Sequence, residues 1–133
     1  MLFRSRLRPD RLVVGEVRSA ECLALTQAMN TGHDGSFSTC HANGPLDAML
    51  RLESLVLQAA PQWPLAAVRQ QLARSIDVVV HVDRVDGRRR VSSISEVVRP
   101  DPRTADQGPD TRLLGQAASS GFVVTGRLER GRR

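Results

Sequence analysis

Short apolar runs alternate with segments of helical periodicity over residues 1–98. Residues 12–17 form an apolar run that ends near a glycine and an acid, which is typical of a buried parallel strand. Residues 36–41 and 76–82 predict two further strands, and 90–98 predict a last one after a turn at Asp86-Gly87. Three helices are predicted between them, over residues 20–30, from about residue 45, and from about residue 65. The apolar stripes of the last two helices are Ala48, Leu52, Leu55 and Ala59, and Leu65, Val68 and Leu72.

Capping residues mark the ends of these helices. Ser19 is the expected N-cap of the first helix, with Glu21 in the first turn, where the helix dipole favours an acid. Gly32 supplies the stop. Asn43 is the expected cap of the second helix, and Pro45 lies in its first turn.

The composition is that of a globular protein with an aliphatic core. Apolar residues make up 41% of the 133 residues and aromatic residues only 3%, so leucine, valine, isoleucine and alanine must fill the interior. No apolar run reaches the ~20 residues of a membrane span, and the first residues lack the apolar region of a secretory signal. We therefore expect a cytoplasmic protein, in which Cys22 and Cys40 are core residues rather than a disulfide.

The net charge of +5 comes entirely from arginine, because the chain contains no lysine. A basic balance can indicate a nucleic-acid partner, but few aromatic residues are available for base stacking and no known nucleic-acid-binding motif is present. We expect no nucleic-acid partner and interpret the arginines as solvated or partner-facing.

The first candidate site lies at the end of the strand predicted over residues 12–17. A carboxylate held rigidly there, at Glu16, can order Mg²⁺ or polarise a water molecule for attack on a γ-phosphate. Gly15 stands where an aspartate is usual in such a Walker B strand. On this segment alone, a strand that ends in an exposed acid is an equally good interpretation.

The second candidate site surrounds two histidines that flank the strand predicted over residues 36–41. His33 and His41 are accompanied by small and polar residues, which let the backbone approach a ligand closely. An imidazole in such a place can contact a phosphate or signal to a neighbouring subunit. The accompanying residues are Gly32, Gly35, Thr39 and Asn43.

Together these two segments resemble the Walker B and His-box motifs of the type II/IV secretion ATPases, most closely those of the CpaF-type branch, which serves tight-adherence pili. The resemblance covers about residues 7–98, and its long central block is specific. The matching residues are Arg8-Pro9-Asp10-Arg11, Gly15-Glu16-Val17-Arg18, Gln27 to Ser36, Thr39, His41-Ala42-Asn43, Arg51-Leu52-Glu53, Ile76 to His81 and Arg89 to Val97.

The resemblance implies a role for each matching residue of the site. Glu16 would be the Walker B carboxylate, acting on Mg²⁺ through water or on the attacking water. His41 would be the His-box residue near the nucleotide, and His33 a supporting member. Arg18, within the Walker B segment, would pair with a carboxylate or a phosphate. Gly15 and Thr39 would support the nucleotide site.

The resemblance also implies a fold and a biological setting. The fold would be α/β, the C-terminal part of a RecA-like P-loop NTPase domain, with three layers, a central sheet and a C-terminal β-hairpin. The family works as a homo-hexamer that hydrolyses ATP with Mg²⁺ and acts on inner-membrane platform proteins. The protein would lie at the inner face of the cytoplasmic membrane.

The sequence departs from this family in one large respect. A Walker A loop needs a lysine against the β- and γ-phosphates, and this chain has none, so it offers no cofactor-binding residues of the Walker A type. We expect a partial ATPase domain over residues 1–99, inactive alone, followed by a linker and a disordered basic tail over 100–133. The chain would be the product of a truncated reading frame, or the rest of the ATPase would be supplied by a separate polypeptide.

Two other functions compete with the ATPase interpretation. A metal site could use His33, His41, Cys40 or Glu16, but neighbouring residues on a strand point to opposite faces, so Cys40 and His41 cannot easily share one ion. A non-catalytic subunit that docks on a secretion ATPase ring is the stronger rival. In that case the surface arginines would include one that reaches a neighbouring γ-phosphate, and the sequence does not choose among them.

Overall fold

The computed structural model describes residues 9–101, 103 and 108–129. The predictions that concern residues 1–8, including Arg8 of the motif, lie outside the described residues. So do those for part of the linker, at 102 and 104–107, and for the basic end at 130–133.

Within these described residues, three helices and six strands confirm the α/β class and the order of elements predicted up to residue 98. Among the described elements, strands and helices alternate as far as the second helix, a third helix follows it directly, and every later element is a strand. The elements are β1 (Val13–Val14), α1 (Glu21–Asn30), β2 (Phe37–Ser38), α2 (Pro45–Ala59), α3 (Leu65–Ser75), β3 (Val78–Val85), β4 (Arg88–Val98), β5 (Asp110–Ala118) and β6 (Gly121–Val124).

The predicted parallel strands are present, but as one short pair. β1 pairs with β2 in parallel, with Val13 opposite Phe37. The prediction that β1 is buried is wrong at Val13, which is 64% exposed, while Phe37 is 59% exposed. The pair therefore presents an open apolar face. Among the described strands this pair forms one sheet, and β3 to β6 form another.

The core lies among the three helices and the sheet that follows them. Ala48, Leu55, Val68 and Leu72 are buried as their helical spacing predicts, whereas Leu65 is 40% exposed because it opens α3 at the surface. Cys22 is fully buried and is a free thiol, as expected. The buried apolar cluster consists of Val17, Cys22, Leu25, Met49, Leu55, Val56, Val68, Leu72, Ala73 and Val97.

The predicted β-hairpin near the C-terminus is confirmed. β3 and β4 pair antiparallel from Val78–Glu96 to Val85–Arg88. Asp86 and Gly87 connect them with positive φ angles of 51° and 75°, as a two-residue turn of the mirror-image type requires. Val79 and Val97 turn inward and pack on the helical core, so this sheet shields one side of the domain.

The expectation of a disordered tail is corrected for residues 110–124. β5 pairs with β4, and β6 pairs with β5, which extends the hairpin to four antiparallel strands. Arg112 on β5 forms ion pairs with the buried Glu96 of β4 and with Glu129, and these contacts anchor the added strands. Gly115 allows Phe122 to lie close above it, because a Cβ there would come within 2.6 Å of the ring.

None of the helices in the described part of the chain has the length and apolar character needed to cross a bilayer.

Candidate functional site

The first candidate segment and the His-box segment meet where β1 and β2 end. The Val17 amide donates to the Thr39 carbonyl at 2.9 Å, and the Thr39 hydroxyl donates to the Gly15 carbonyl. These two bonds continue the strand pairing beyond β1 and β2. Glu16, between Gly15 and Val17, is therefore placed beside His41.

Glu16 forms the centre of a charged cluster. Its Oε1 lies 3.0 Å from His41 Nε2, and its Oε2 accepts a hydrogen bond of 2.6 Å from Arg18 Nε. The Glu16 side chain is only 22% exposed, whereas those of Arg18 and His41 are 74% and 84% exposed. The carboxylate is thus held at the base of the cluster, and its two partners remain accessible from solvent.

The cluster keeps Glu16 in its ionised form. The hydrogen bond from Arg18 and the charges of Arg18, His41 and Arg51 hold the pKa of Glu16 below its ordinary value of 4.5, against an opposing effect of burial. The same contact raises the pKa of Arg18. At neutral pH the site therefore presents a carboxylate, the form needed to accept a proton or to bind a cation's water shell.

An open cleft of about 530 Å³ lies against His41 and the start of α2. His41 and Asn43 were predicted at this place from their motif, but the residues of α2 were not predicted to belong to the site. Asp47 lies three and four residues before Leu50 and Arg51, so these three side chains share one face of α2, whereas Asn43 precedes the N-cap, Gly44. That helical spacing could have identified these α2 residues from the sequence. The cleft is lined by His41, Ala42, Asn43, Asp47, Leu50 and Arg51.

His33 is placed differently from the other predicted residues. Its Nδ1 lies 3.0 Å from the Ala28 carbonyl at the end of α1. Its own carbonyl accepts a hydrogen bond of 2.6 Å from the Ser36 hydroxyl, and the Leu12 amide donates to that hydroxyl at 2.7 Å. His33 thus stabilises the turn that joins α1 to β2, and it makes no contact with the Glu16 cluster. Of the predicted site residues, His41 lines the cleft, whereas Glu16, Arg18 and His33 do not.

A magnesium ion fits this site only through water. Both carboxylate oxygens of Glu16 already contact a cationic or imidazole nitrogen, at Arg18 and His41. Within residues 9–101, 103 and 108–129 there is no group of three or more His, Cys, Asp or Glu side chains suited to hold a metal ion. Glu16 can still accept a hydrogen bond from a water molecule that coordinates a phosphate-bound Mg²⁺ ion.

Glu21 organises the turn that leads from the site into α1. Its carboxylate accepts the Arg18 amide at 2.7 Å, the Ser19 amide at 3.0 Å and the Ser19 hydroxyl at 2.7 Å. Ser19 was predicted to cap α1 with its own side chain. Instead Ala20 is the N-cap and makes no capping hydrogen bond with its side chain. The Ser19 hydroxyl donates its hydrogen bond to the Glu21 carboxylate.

These bonds predict a pH dependence of stability. They lower the pKa of Glu21 from 4.5 to about 2, the Ser19 hydroxyl contributing most. Because the folded pKa is the lower one, the contribution of Glu21 is complete above pH 4.5 and is lost as the pH falls toward 2. The melting temperature of Glu21→Gln, followed by circular dichroism, should therefore change less than that of the wild type across this window. Asp10→Asn, at an exposed acid before β1, is the control and should keep the wild-type dependence.

Comparison with known proteins identifies the family. The model of the type II/IV secretion system protein family matches residues 2–119. The chain belongs to this family. A Mycobacterium tuberculosis protein named for conjugal transfer is 48% identical over 92 residues, which are 68% of this chain and 25% of that protein. The conjugal transfer protein TrbB of Rhizobium radiobacter is 39% identical over 92 residues, 69% of this chain and 27% of TrbB.

A solved structure shows the same fold. The crystal structure of the VirB11 ATPase from the Brucella suis type IV secretion system, in complex with sulphate, superimposes with a TM-score of 0.64 at 33% identity. The match covers 71% of this chain and 30% of VirB11. The predicted fold class is thereby confirmed. The chain spans about a quarter of the length of the relatives that it matches.

Proposed function

We propose that this chain supplies the Walker B and His-box walls of the nucleotide site in a secretion ATPase. The observation that carries the proposal is the contact between Glu16 and His41, 3.0 Å apart at the edge of an open cleft. Two segments separated by a helix provide these side chains, and hydrogen bonds between the strand ends align them. An ionised carboxylate beside an accessible imidazole suits a site that handles phosphate and the water that attacks it.

Each residue of the site has a distinct part in this proposal. Glu16 orients the attacking water or the water shell of Mg²⁺, and His41 contacts the phosphate end of ATP. Arg18 holds the Glu16 carboxylate in place, and Thr39 ties His41's segment to Gly15. His33 supports the site indirectly, through the turn before β2. When bound, ATP and Mg²⁺ supply the transferable phosphoryl group and its charge neutralisation.

The motif pattern supports a finer assignment to the CpaF-type branch that serves tight-adherence pili. The long block from Gln27 to Ser36, followed by His41-Ala42-Asn43, is the basis of that assignment. The working assembly would be a hexamer, or a ring completed by a separate polypeptide, acting on platform proteins at the inner face of the cytoplasmic membrane. The unit that contributes the site would comprise residues 1–99.

The chain alone should not turn over ATP, because a P-loop lysine against the β- and γ-phosphates is missing from its sequence. Phosphate release by the purified chain with Mg²⁺ and ATP should equal that of a blank, and Glu16→Gln should not change it. Turnover above the blank that is lost in Glu16→Gln would contradict this expectation, since it would show that the chain contains a complete catalytic site.

A regulatory subunit that docks on an ATPase ring is the second candidate function. The open apolar face of β1 and β2, with Val13 and Phe37 exposed, favours it because such a face is suited to contact another protein. The two functions differ in what they require of Glu16. Docking does not need its charge, whereas the catalytic proposal does.

A further inference from the structure

The open cleft beside the Glu16 cluster is lined in part by an exposed arginine, Arg51 of α2. Within the described part of the chain Arg51 forms no ion pair, although Asp47 lies one turn earlier on the same helix. A guanidinium that is not bonded to a carboxylate keeps all its N–H donors for a ligand. Arg51 can therefore bind an anion that enters the cleft.

The other arginines of the chain are less suited to this role. Arg18 is bonded to Glu16 through Nε and through a terminal nitrogen. Arg69 Nε lies 3.0 Å from Glu53 Oε2 in a pair that is largely buried. Further surface arginines lie on α3 and on the β3–β4 hairpin and do not line the cleft, namely Arg74, Arg84 and Arg88 to Arg90.

The packing of α2 directs Arg51 away from the core. Met49 and Glu53, two residues before and after it, are both buried. Because one helical turn takes 3.6 residues, side chains two positions apart point to roughly opposite sides of the helix. The exposed side of α2 therefore carries Arg51 toward the cleft, where its charge also helps to lower the pKa of Glu16.

Asp47 is the acid of the cleft, and it has a structural reason to be there. It lies in the first turn of α2, where the helix dipole favours a negative charge. The cleft thus combines this acid with Arg51 and the accessible imidazole of His41. Removal of either charge should change the affinity for an anion, in opposite directions.

We propose that Arg51 binds the terminal phosphates of the nucleotide in this cleft, as the main cationic contact that a chain without lysine makes with them. A planar guanidinium can donate two parallel hydrogen bonds to phosphate oxygens. His41 borders the same cleft and lies 3.0 Å from Glu16, so a phosphate held by Arg51 would lie near the carboxylate that orients water. The inference rests on the proposed function and adds the residue that binds the charge of the ligand.

Isothermal titration calorimetry of the purified full chain with inorganic pyrophosphate, at low salt and without Mg²⁺, tests this role in the absence of turnover. Arg51→Gln should raise the dissociation constant by at least about tenfold, because a hydrogen bond between charged groups is lost. Asp47→Asn should lower it, because a negative charge leaves the cleft. Arg74→Gln, at an exposed arginine of α3, is the matched control for the loss of one positive charge and should bind as the wild type does.

A second readout separates this inference from the catalytic proposal. In an active motor that contains this chain, Arg51→Gln should raise KM for ATP by at least about tenfold, because ground-state binding is lost, whereas Glu16→Gln should lower kcat. If Glu16→Gln kept full turnover while Arg51→Gln still weakened pyrophosphate binding, the phosphate contact of Arg51 would stand and the catalytic role of Glu16 would fail.

Three results would overturn the inference. The first is a wild-type chain that does not bind pyrophosphate at millimolar concentration. The second is a dissociation constant that Arg51→Gln leaves unchanged or that Arg74→Gln raises to the same extent. The third is an unchanged KM for ATP in Arg51→Gln, and with turnover lost in Glu16→Gln the proposed function would then hold without Arg51.

Discussion

Replacing Glu16 by glutamine should lower ATP turnover by about 10²- to 10⁴-fold in a motor that contains this chain, the range expected for loss of a positioned acid–base group. The suitable protein is a chimera in which this chain replaces the matching quarter of the Mycobacterium tuberculosis relative, with which it shares 48% identity. Phosphate release at saturating ATP measures the effect.

The physical reason lies in the charge of the carboxylate rather than in its shape. Glutamine has nearly the same volume and can still accept the hydrogen bond from Arg18, so the cluster should keep its geometry. The neutral glutamine side chain cannot accept a proton from water, and it carries no negative charge to neutralise a cation near the phosphates. The loss should therefore appear in kcat, while KM for ATP changes little.

Glu129→Gln is the matched control for this change. Glu129 is also an acid paired with an arginine, Arg112, but it lies after the last strand, β6, and does not line the cleft. Turnover of that variant should equal that of the unmodified chimera. If Glu16→Gln retained full activity in an active chimera, the docking function would be favoured over the catalytic one.

Replacing Glu53 by alanine should destabilise the fold by roughly 1.5–3 kcal/mol, the range for loss of a hydrogen bond to a charged group. Glu53 Oε2 on α2 lies 3.0 Å from Arg69 Nε on α3, and their side chains are only 12% and 14% exposed. The pair joins two helices whose apolar faces form the core. Urea denaturation, with the free energy of unfolding extrapolated to water, measures the loss.

Two comparison variants separate charge from packing. Glu129→Ala removes an acid of an exposed pair and should cost far less, because water replaces the contact. The double variant Glu53→Leu/Arg69→Leu should recover part of the lost stability, since neither charge of the pair is then buried. Equal losses in Glu53→Ala and Glu129→Ala would contradict the claim that burial makes the Glu53 pair important.

The sequence alone was sufficient to predict local structure where the residue type determines the backbone conformation. Asp86-Gly87 predicted a turn, and both residues adopt the positive φ angles that the turn needs. The apolar spacing of α2 predicted its buried side, including Ala48 and Leu55. The strand end carrying Glu16 and the segment carrying His41 could each be located, because chemistry-bearing residues follow short apolar runs.

Long-range contacts explain what could not be predicted. The strands β5 and β6 contain alanine and glycine, which have weak strand preference, and their conformation is imposed by pairing of β5 with β4 and of β6 with β5. The register of β5 also shifts between Ile94 and Ser95 of β4, which breaks the simple alternation. The Glu53–Arg69 pair spans two helices, and the sequence alone does not show which of many arginines a buried acid will meet.

The candidate site was predicted only in part, because its contacts also depend on long-range packing. Glu16 and His41 could be named from their segments, but their contact depends on how β1 and β2 align. Arg51 was one of several surface arginines in the sequence, and only the packing of α2 places it at the cleft, where its charge also lowers the pKa of Glu16.

The histidine ring signals in the ¹H NMR spectrum of the full chain, followed during titration with Mg²⁺ and ATP at constant pH, test the central claim most directly. If Glu16 and His41 form one wall of a nucleotide site, the His41 signals should shift in a saturable manner, and the shift should shrink in Glu16→Gln. His81, on β3, should not respond. Equal shifts at His41 and His81, or no shift at His41 at millimolar nucleotide, would contradict the account.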